Sequence, residues 1–199
     1  MTFAEIISVA IGAILVSNVL LSQFWGICSF IGVSKKKSSA LGMGIAVLFV
    51  LVLSSLVTWL LYKYVLIPYK VEFLSTIVFI LVIATLVQFV EMVIKKYIPG
   101  LYKVLGIYLP LITTNCAILG VADSVNVKDK LPLIDTLVYS VSIGLGYILV
   151  MYIFAGIRER IETSSIPKPF KGAAIALVIA GFMAMAFAGF GGIANGLAK

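Results

Sequence analysis

Leu105-Gly-Ile-Tyr-Leu-Pro-Leu-Ile-Thr-Thr-Asn-Cys-Ala-Ile-Leu-Gly-Val121 is apolar enough to enter a bilayer but too interrupted to cross it as one regular helix. Pro110 in the interior of a helix removes a backbone donor and clashes with the preceding turn, at about 3 kcal/mol or more. Thr113, Thr114, Asn115 and Gly120 follow it. A broken helix persists at membrane depth only where protein or a polar cavity satisfies the freed backbone. The stretch therefore predicts a discontinuous span. Ile6–Val33 has the same character. It runs 28 residues without a charge, more than the roughly 20 that one upright span needs. It contains Gly12, Gly26 and Gly32 together with Asn18, Ser22 and Gln23.

The rest of the chain supplies the setting. Of 199 residues, 62% are hydrophobic and 12% charged, and the mean hydropathy is +1.20. Soluble domains carry about 25% charged residues, so lipid must be the main solvent. Six apolar segments stand out, at Ile6–Phe24, Ala40–Tyr62, Leu74–Val93, Leu105–Val121, Ile134–Phe154 and Ala173–Phe190. The connections Ser34–Ser39, Lys63–Glu72, Lys95–Lys103, Asp123–Lys130 and Arg158–Lys171 are too short for a soluble domain. Met1-Thr-Phe-Ala-Glu5 has no positive stretch and no small-residue cleavage site follows, so the first segment reads as retained.

The net charge of +7 sits in short basic clusters between apolar runs, which mark membrane loops rather than nucleic-acid binding. The odd-numbered loops hold ten basic residues: Lys35, Lys36, Lys37, Lys95, Lys96, Lys103, Arg158, Arg160, Lys168 and Lys171. The even-numbered loops and the tail hold five: Lys63, Lys70, Lys128, Lys130 and Lys199. This asymmetry predicts cytoplasmic odd loops and both termini outside.

Aligning Cys28 with Cys116 also aligns Leu21 with Leu109, Gly32 with Gly120 and Val33 with Val121; Leu81-Val-Ile-Ala84 recurs as Leu177-Val-Ile-Ala180. The expected fold is thus all-α, a single membrane domain over residues 1–199. Six transmembrane helices form two three-helix repeats, about 1–100 and 101–199, with helices 1 and 4 discontinuous. Three spans is an odd number, so the second repeat is inverted in the membrane, an arrangement that builds a site where broken helices meet.

Chemistry has few candidates. With no histidine in the chain, histidine-ligated haem and Ser-His-Asp or Cys-His catalysis are excluded. The cysteines Cys28 and Cys116 occupy matching places in the two broken segments. Three readings of them stand open: small buried hydrophobes, a disulfide, or metal ligands. Iron–sulfur clusters take four cysteines, so two would have to come from a partner. Asn18, Thr113, Thr114 and Asn115 either line a cavity or ion path or satisfy the broken backbone. Gln88 and Glu91 lie late in segment three, with Lys95 four residues beyond Glu91, a spacing that suits an ion pair. Gly42-Met-Gly44 and Gly189-Phe-Gly191-Gly192 lack the strand of a nucleotide fingerprint and suit helix packing. Gly172, Ala176, Ala180, Ala184, Ala188 and Gly192 form a four-residue stripe of small residues that predicts close helix approach.

Gly26-Ile-Cys-Ser-Phe-Ile-Gly-Val-Ser-Lys-Lys36, the Leu105–Val121 stretch and Ala155-Gly-Ile-Arg-Glu-Arg160 resemble the Rnf/Nqr membrane subunits over nearly the whole chain. Thr114 and Leu119-Gly-Val121 place the likeness nearer the A-type subunits of the Rnf branch than the E-type subunits of the sodium-pumping quinone reductases, the alternative within the family. The resemblance implies a bacterial inner-membrane complex that passes electrons between ferredoxin and NAD+ and couples this to Na+ or H+ transport. It also implies a 2Fe–2S cluster held within the membrane by Cys28 and Cys116 and shared with a homologous E subunit of opposite orientation, with D and G subunits as further partners. A secondary ion transporter and a structural scaffold are the rival readings from other classes, since inverted repeats with broken helices serve transporters equally well.

Overall fold

The computed structural model describes residues 12–16, 18–34, 36–69, 72–97, 109–128, 131–162 and 172–197. Among them every regular element is helical. A π-helical turn, Gly12–Val16, leads into α1 (Val19–Ser22) and α2 (Ile27–Val33). Next come α3 (Lys37–Leu61), α4 (Ser75–Tyr97), α5 (Leu109–Thr113), α6 (Cys116–Asp123), α7 (Leu133–Glu162) and α8 (Ala173–Leu197). Three helical stretches are long and apolar enough to cross a membrane: Lys37–Tyr69, Ser75–Val93 and Leu133–Ile161; Ala173–Gly189 is a shorter apolar helix.

The antiparallel pair α3 and α7 forms the centre. A Cβ on Gly44 would lie 2.8 Å from Ile148 Cγ1, and one on Gly144 would run into Leu48. These reciprocal contacts bring the two backbones together as small residues do in lipid, where packing rather than water exclusion drives association. Val47, Val50, Leu51, Val150, Met151 and Phe154 are buried in the same core. The pair is pinned at both ends. Lys37 Nζ lies 3.5 Å from Glu159 Oε2, and Trp59 Nε1 donates to the Leu131 carbonyl at 3.0 Å.

Several expected boundaries move. The predicted loop Lys63–Glu72 is helical as far as Tyr69, through a π-helical turn at Tyr62–Leu66. Asp123–Lys130 is likewise helical to Lys128, and α7 continues past Phe154 to Glu162. Apolar runs measure the hydrocarbon crossing, whereas a helix continues into the headgroup region, where charged residues also propagate it. Arg158, counted as a loop charge, is a buried residue of α7. Lys35, Lys70, Lys103, Lys130, Lys168, Lys171, Lys199, the start of the first segment and Leu105–Tyr108 lie outside the described residues.

On α8, Ala176 and Ala180 are buried and Ala184 half-buried, while Gly172 and Ala188 are exposed. The middle of the small-residue stripe therefore faces the chain's own first segment, against which α8 packs. The opposite face, with Leu177, Phe182 and Met185, is exposed. α4 is peripheral: Gln88 is exposed and Glu91 half-buried.

Candidate metal centre

Both predicted discontinuities are present as helix breaks, and an asparagine caps a helix in each interrupted segment, at the break itself only in the second. Asn115 adopts an extended backbone (φ −74°, ψ 110°), and its side chain accepts from Ala117 N at 3.0 Å, capping α6. Asn18 does the same for α1, accepting from Leu20 N at 3.1 Å. An N-cap side chain satisfies a donor that the first helical turn leaves without a partner. Pro110, the residue expected to make the break, lies in α5, upstream of it. The chain parts at Thr114–Asn115 instead, and Thr114 Oγ1 folds back onto the Pro110 carbonyl at 2.9 Å.

Asn18 also donates to Ile14 O at 2.9 Å and to Gly146 O at 3.0 Å, joining the first segment to α7. Its polar atoms are thus committed to backbone groups rather than to an ion path. In the first segment the break spans Gln23–Gly26, with Phe24 at φ 54° and Gly26 at φ 88°. A left-handed residue just before α2 suits glycine.

The two breaks lock into each other. The Trp25 ring lies directly on Gly120, where any Cβ would overlap it. Gly26 sits against Asn115 and Ala117, and its N–H donates to Cys116 Sγ at 3.0 Å. Cys28 is the second residue of α2 and Cys116 the first of α6, so both thiols project from a first helical turn. Both are free and exposed, and no disulfide joins them. Ser29, next to Cys28, shares a 2.7 Å hydrogen bond with Tyr147 OH, and Tyr147 lies within electrostatic reach of both cysteines.

A cavity of about 300 Å³ opens beside Cys116, lined by Ile80, Ile83, Ala84, Thr113, Thr114, Asn115 and Leu119. The amide nitrogen of Asn115 is buried, on the side of Tyr147. This donor set fits a thiolate-bound iron centre in part. Two soft ligands are presented outward, one already accepts a backbone N–H, and the walls are largely apolar. Among the described residues no three His, Cys, Asp or Glu side chains converge, so the described ligands of such a centre number two.

Fold and site together define an all-helical membrane protein with two interrupted segments locked break to break, each presenting one cysteine. The chain belongs to the Rnf-Nqr family of membrane-protein subunits, whose sequence pattern it matches over residues 6–194. It is 52% identical over 191 residues to the A-type subunit of the Na(+)-translocating ferredoxin:NAD(+) oxidoreductase complex of Acetobacterium woodii, across 96% of this chain and 99% of that one. It is 51% identical over 191 residues to the A-type subunit of the ion-translocating oxidoreductase complex of Hahella chejuensis, across 96% and 98%. The protein of the same description from Vibrio cholerae is 50% identical over 192 residues, across 96% and 90%.

Proposed function

We propose that this chain is the A-type subunit of an ion-translocating ferredoxin:NAD+ oxidoreductase complex in a bacterial inner membrane. In this reading Cys28 and Cys116 supply half the ligands of a 2Fe–2S cluster, and a homologous E subunit supplies the other half. The observation that carries the reading is the meeting of the two breaks, where Gly26 N–H donates to Cys116 Sγ and both thiols face outward. A single break could expose a cysteine by accident. Two interlocked breaks that each expose one make a half-site.

An approximate twofold axis in the membrane plane is the simplest source of such a half-site. The reciprocal contacts Gly44–Ile148 and Gly144–Leu48 are those an axis through the α3–α7 crossing produces. Trp25 on Gly120, with Leu111 opposite Gly32, repeats the pattern more loosely at the breaks. A second subunit built on the same plan can present two more thiols across that face. In such an arrangement both termini of this chain lie outside, and D and G subunits contact its remaining exposed helices.

When bound, the cluster supplies one-electron redox chemistry at membrane depth. The chain's own residues bind and shape it. The two thiolates ligate iron, and the Gly26 N–H withdraws charge from Cys116 Sγ; hydrogen bonds to ligand sulfur are among the factors that set a cluster's potential. Asn115 holds Cys116 at the start of α6 through its cap. Trp25, packed on Gly120, fills space between the breaks.

The test replaces each cysteine in the whole complex. Serine keeps nearly the volume but exchanges a soft thiolate for a poor iron ligand. Cys28→Ser and Cys116→Ser should each remove the cluster's iron and paramagnetic signal and stop ferredoxin-to-NAD+ turnover, with the polypeptide still inserted. The double variant should be no worse than either single one, because one lost ligand already disables the site. Full iron content and turnover in both single variants would overturn the reading.

A further inference from the structure

One face of α7 grips α2 immediately beyond Cys28. Tyr147 OH bonds Ser29 Oγ at 2.7 Å. Phe154 stacks on Phe30 with ring centroids 3.8 Å apart and planes at 23°. Arg158 Nη1 donates to the Ile31 carbonyl at 2.6 Å and to Ser34 Oγ at 2.8 Å. Steps of seven and four residues keep these three side chains on one helical face. They meet Ser29, Phe30 and Ile31 in order, then the C-cap residue Ser34. Cys28, the residue just before this run, is exposed.

Seven residues make a helix too short to stand without tertiary support, and its last four carbonyls have no partner within the helix. Ile31 O is one of these, and Arg158 satisfies it. A serine or threonine could have provided polarity alone. A guanidinium adds a fixed positive charge at a helix C-terminus, where the dipole favours one. Arg158 is only 4% exposed. Burying a charge is costly unless it is hydrogen-bonded, and Ile31 O and Ser34 Oγ supply that bonding.

We propose that Arg158 is a positioning residue for the redox site. It fixes the C-terminal end of α2 and thereby the direction of Cys28. Its charge, bonded to the carbonyl of the third residue beyond Cys28 and to the Ser34 hydroxyl, favours the more negative reduced state of the bound cluster. That reduction adds one electron from the ferredoxin side of the complex, breaks no bond and needs no proton. The proposal rests on Cys28 being a cluster ligand.

The experiment compares anaerobically purified wild-type complex with Arg158→Gln, Arg158→Lys and Ser34→Ala. Midpoint potential, paramagnetic line shape and iron content are read in the complex. The rate of maleimide labelling of Cys28 is read in membranes holding the full chain alone with Cys116→Ser. Arg158→Gln should lower the potential, alter the line shape and speed labelling several-fold. Arg158→Lys should keep the potential near wild type yet still speed labelling, because an ammonium keeps the charge and loses the planar fork. Ser34→Ala should speed labelling slightly and leave the potential unchanged.

Wild-type potential, line shape and labelling rate in Arg158→Gln would overturn the proposal while leaving the cluster in place. If Arg158→Gln does not assemble, Arg158→Lys and Ser34→Ala decide, and wild-type labelling in both overturns it. A wild-type complex without a cluster signal from this chain would instead overturn the functional reading beneath it.

Discussion

The far end of α7 and the far end of α3 occupy matching corners of the molecule and are built differently. Gly44 meets Ile148 and Gly144 meets Leu48, so positions 100 apart correspond across the α3–α7 crossing. On that register Tyr147, Phe154 and Arg158 stand where α3 has Val47, Ser54 and Thr58. The α7 corner is charged and well bonded, with Arg158 on Ile31 O and Ser34 Oγ. The α3 corner carries an exposed charge, Lys63, whose Nζ lies 4.7 Å from the Trp59 ring centroid, and its buried groups are neutral and incompletely bonded. Asn126 Nδ2 donates to Thr58 Oγ1 at 3.2 Å and to Ala122 O at 2.8 Å, but Asn126 Oδ1 and Tyr62 OH are buried without partners. A cavity of about 290 Å³ adjoins them. The difference teaches that one set of packing contacts can be completed in two different ways. The Cys28 side is gripped by specific side chains, and the Cys116 side packs its buried Ala117, Ile118, Val121 and Ala122 against α3 and α4, with Trp25 on Gly120 and the Gly26 N–H on Cys116 Sγ.

The sharpest way to break this comparison is to empty both corners. Arg158→Ala strips the partner from two buried acceptors, and hydrogen bonds to charged groups are worth about 1.5–3 kcal/mol each. Part of that is offset by no longer burying a charge. The expected net cost is about 3 kcal/mol, a fall of roughly 10 °C in the apparent melting temperature of the detergent-solubilised chain. Thr58→Ala should cost only about 1 kcal/mol, the value of a neutral hydrogen bond. Equal losses in the two variants would mean that the corners are equivalent in strength.

The interlocked breaks give the next contrast. Gly120→Ala drives a methyl into the Trp25 ring and should cost about 2 kcal/mol through overpacking. Gly32, its counterpart in the sequence alignment, faces only Leu111 Cδ1 at 3.9 Å. Gly32→Ala should be neutral or slightly stabilising, since alanine favours a helix over glycine by roughly 1 kcal/mol. Thermal unfolding of the two variants side by side reads the difference directly. A smaller effect comes from the aromatic stack: Phe154→Leu should cost about 1.5 kcal/mol, from lost ring contact and imperfect filling. Ser54→Ala, at the matching place on α3, should cost under about 1 kcal/mol.

Much of this could be read from residue order, and the remainder depended on distance along the chain. The two broken segments, the matched cysteines and the all-helical fold follow from local signals: charge-free length, polar residues in apolar runs and repeated short motifs. The position of the second break did not. Pro110 carries the strongest local penalty, yet the chain parts at Thr114–Asn115, where Asn115 makes the break through a cap that no apolar pattern reveals. Arg158 read as a topology charge because basic residues at the end of an apolar run usually are. Its partners Ile31 and Ser34 lie 127 and 124 residues away, and no local pattern connects them. The flanking Ala155, Ile157 and Ile161 were the available hint, since a loop arginine has little reason to sit among apolar neighbours.

The smallest predicted effect tests the α3 corner itself. Tyr62 is 5% exposed, its ring lies 6.4 Å from that of Phe79, and its hydroxyl has no protein partner. A buried hydroxyl without a partner has lost its hydration and gained nothing in return, so removing it should relieve a desolvation cost. Tyr62→Phe should therefore leave stability unchanged or raise it by up to about 1 kcal/mol, with the ring contact preserved. The opposite sign would carry information of its own. Asn126 Oδ1 faces the same need, and both residues line the same cavity. A water with two to four polar neighbours can satisfy such groups. If Tyr62→Phe lowers the melting temperature, and Asn126→Leu added to it lowers the temperature by less than it does alone, a bridged network fills the cavity. The α3 corner would then be bonded through solvent rather than left incomplete, and the contrast with Arg158 would reduce to one of buried charge.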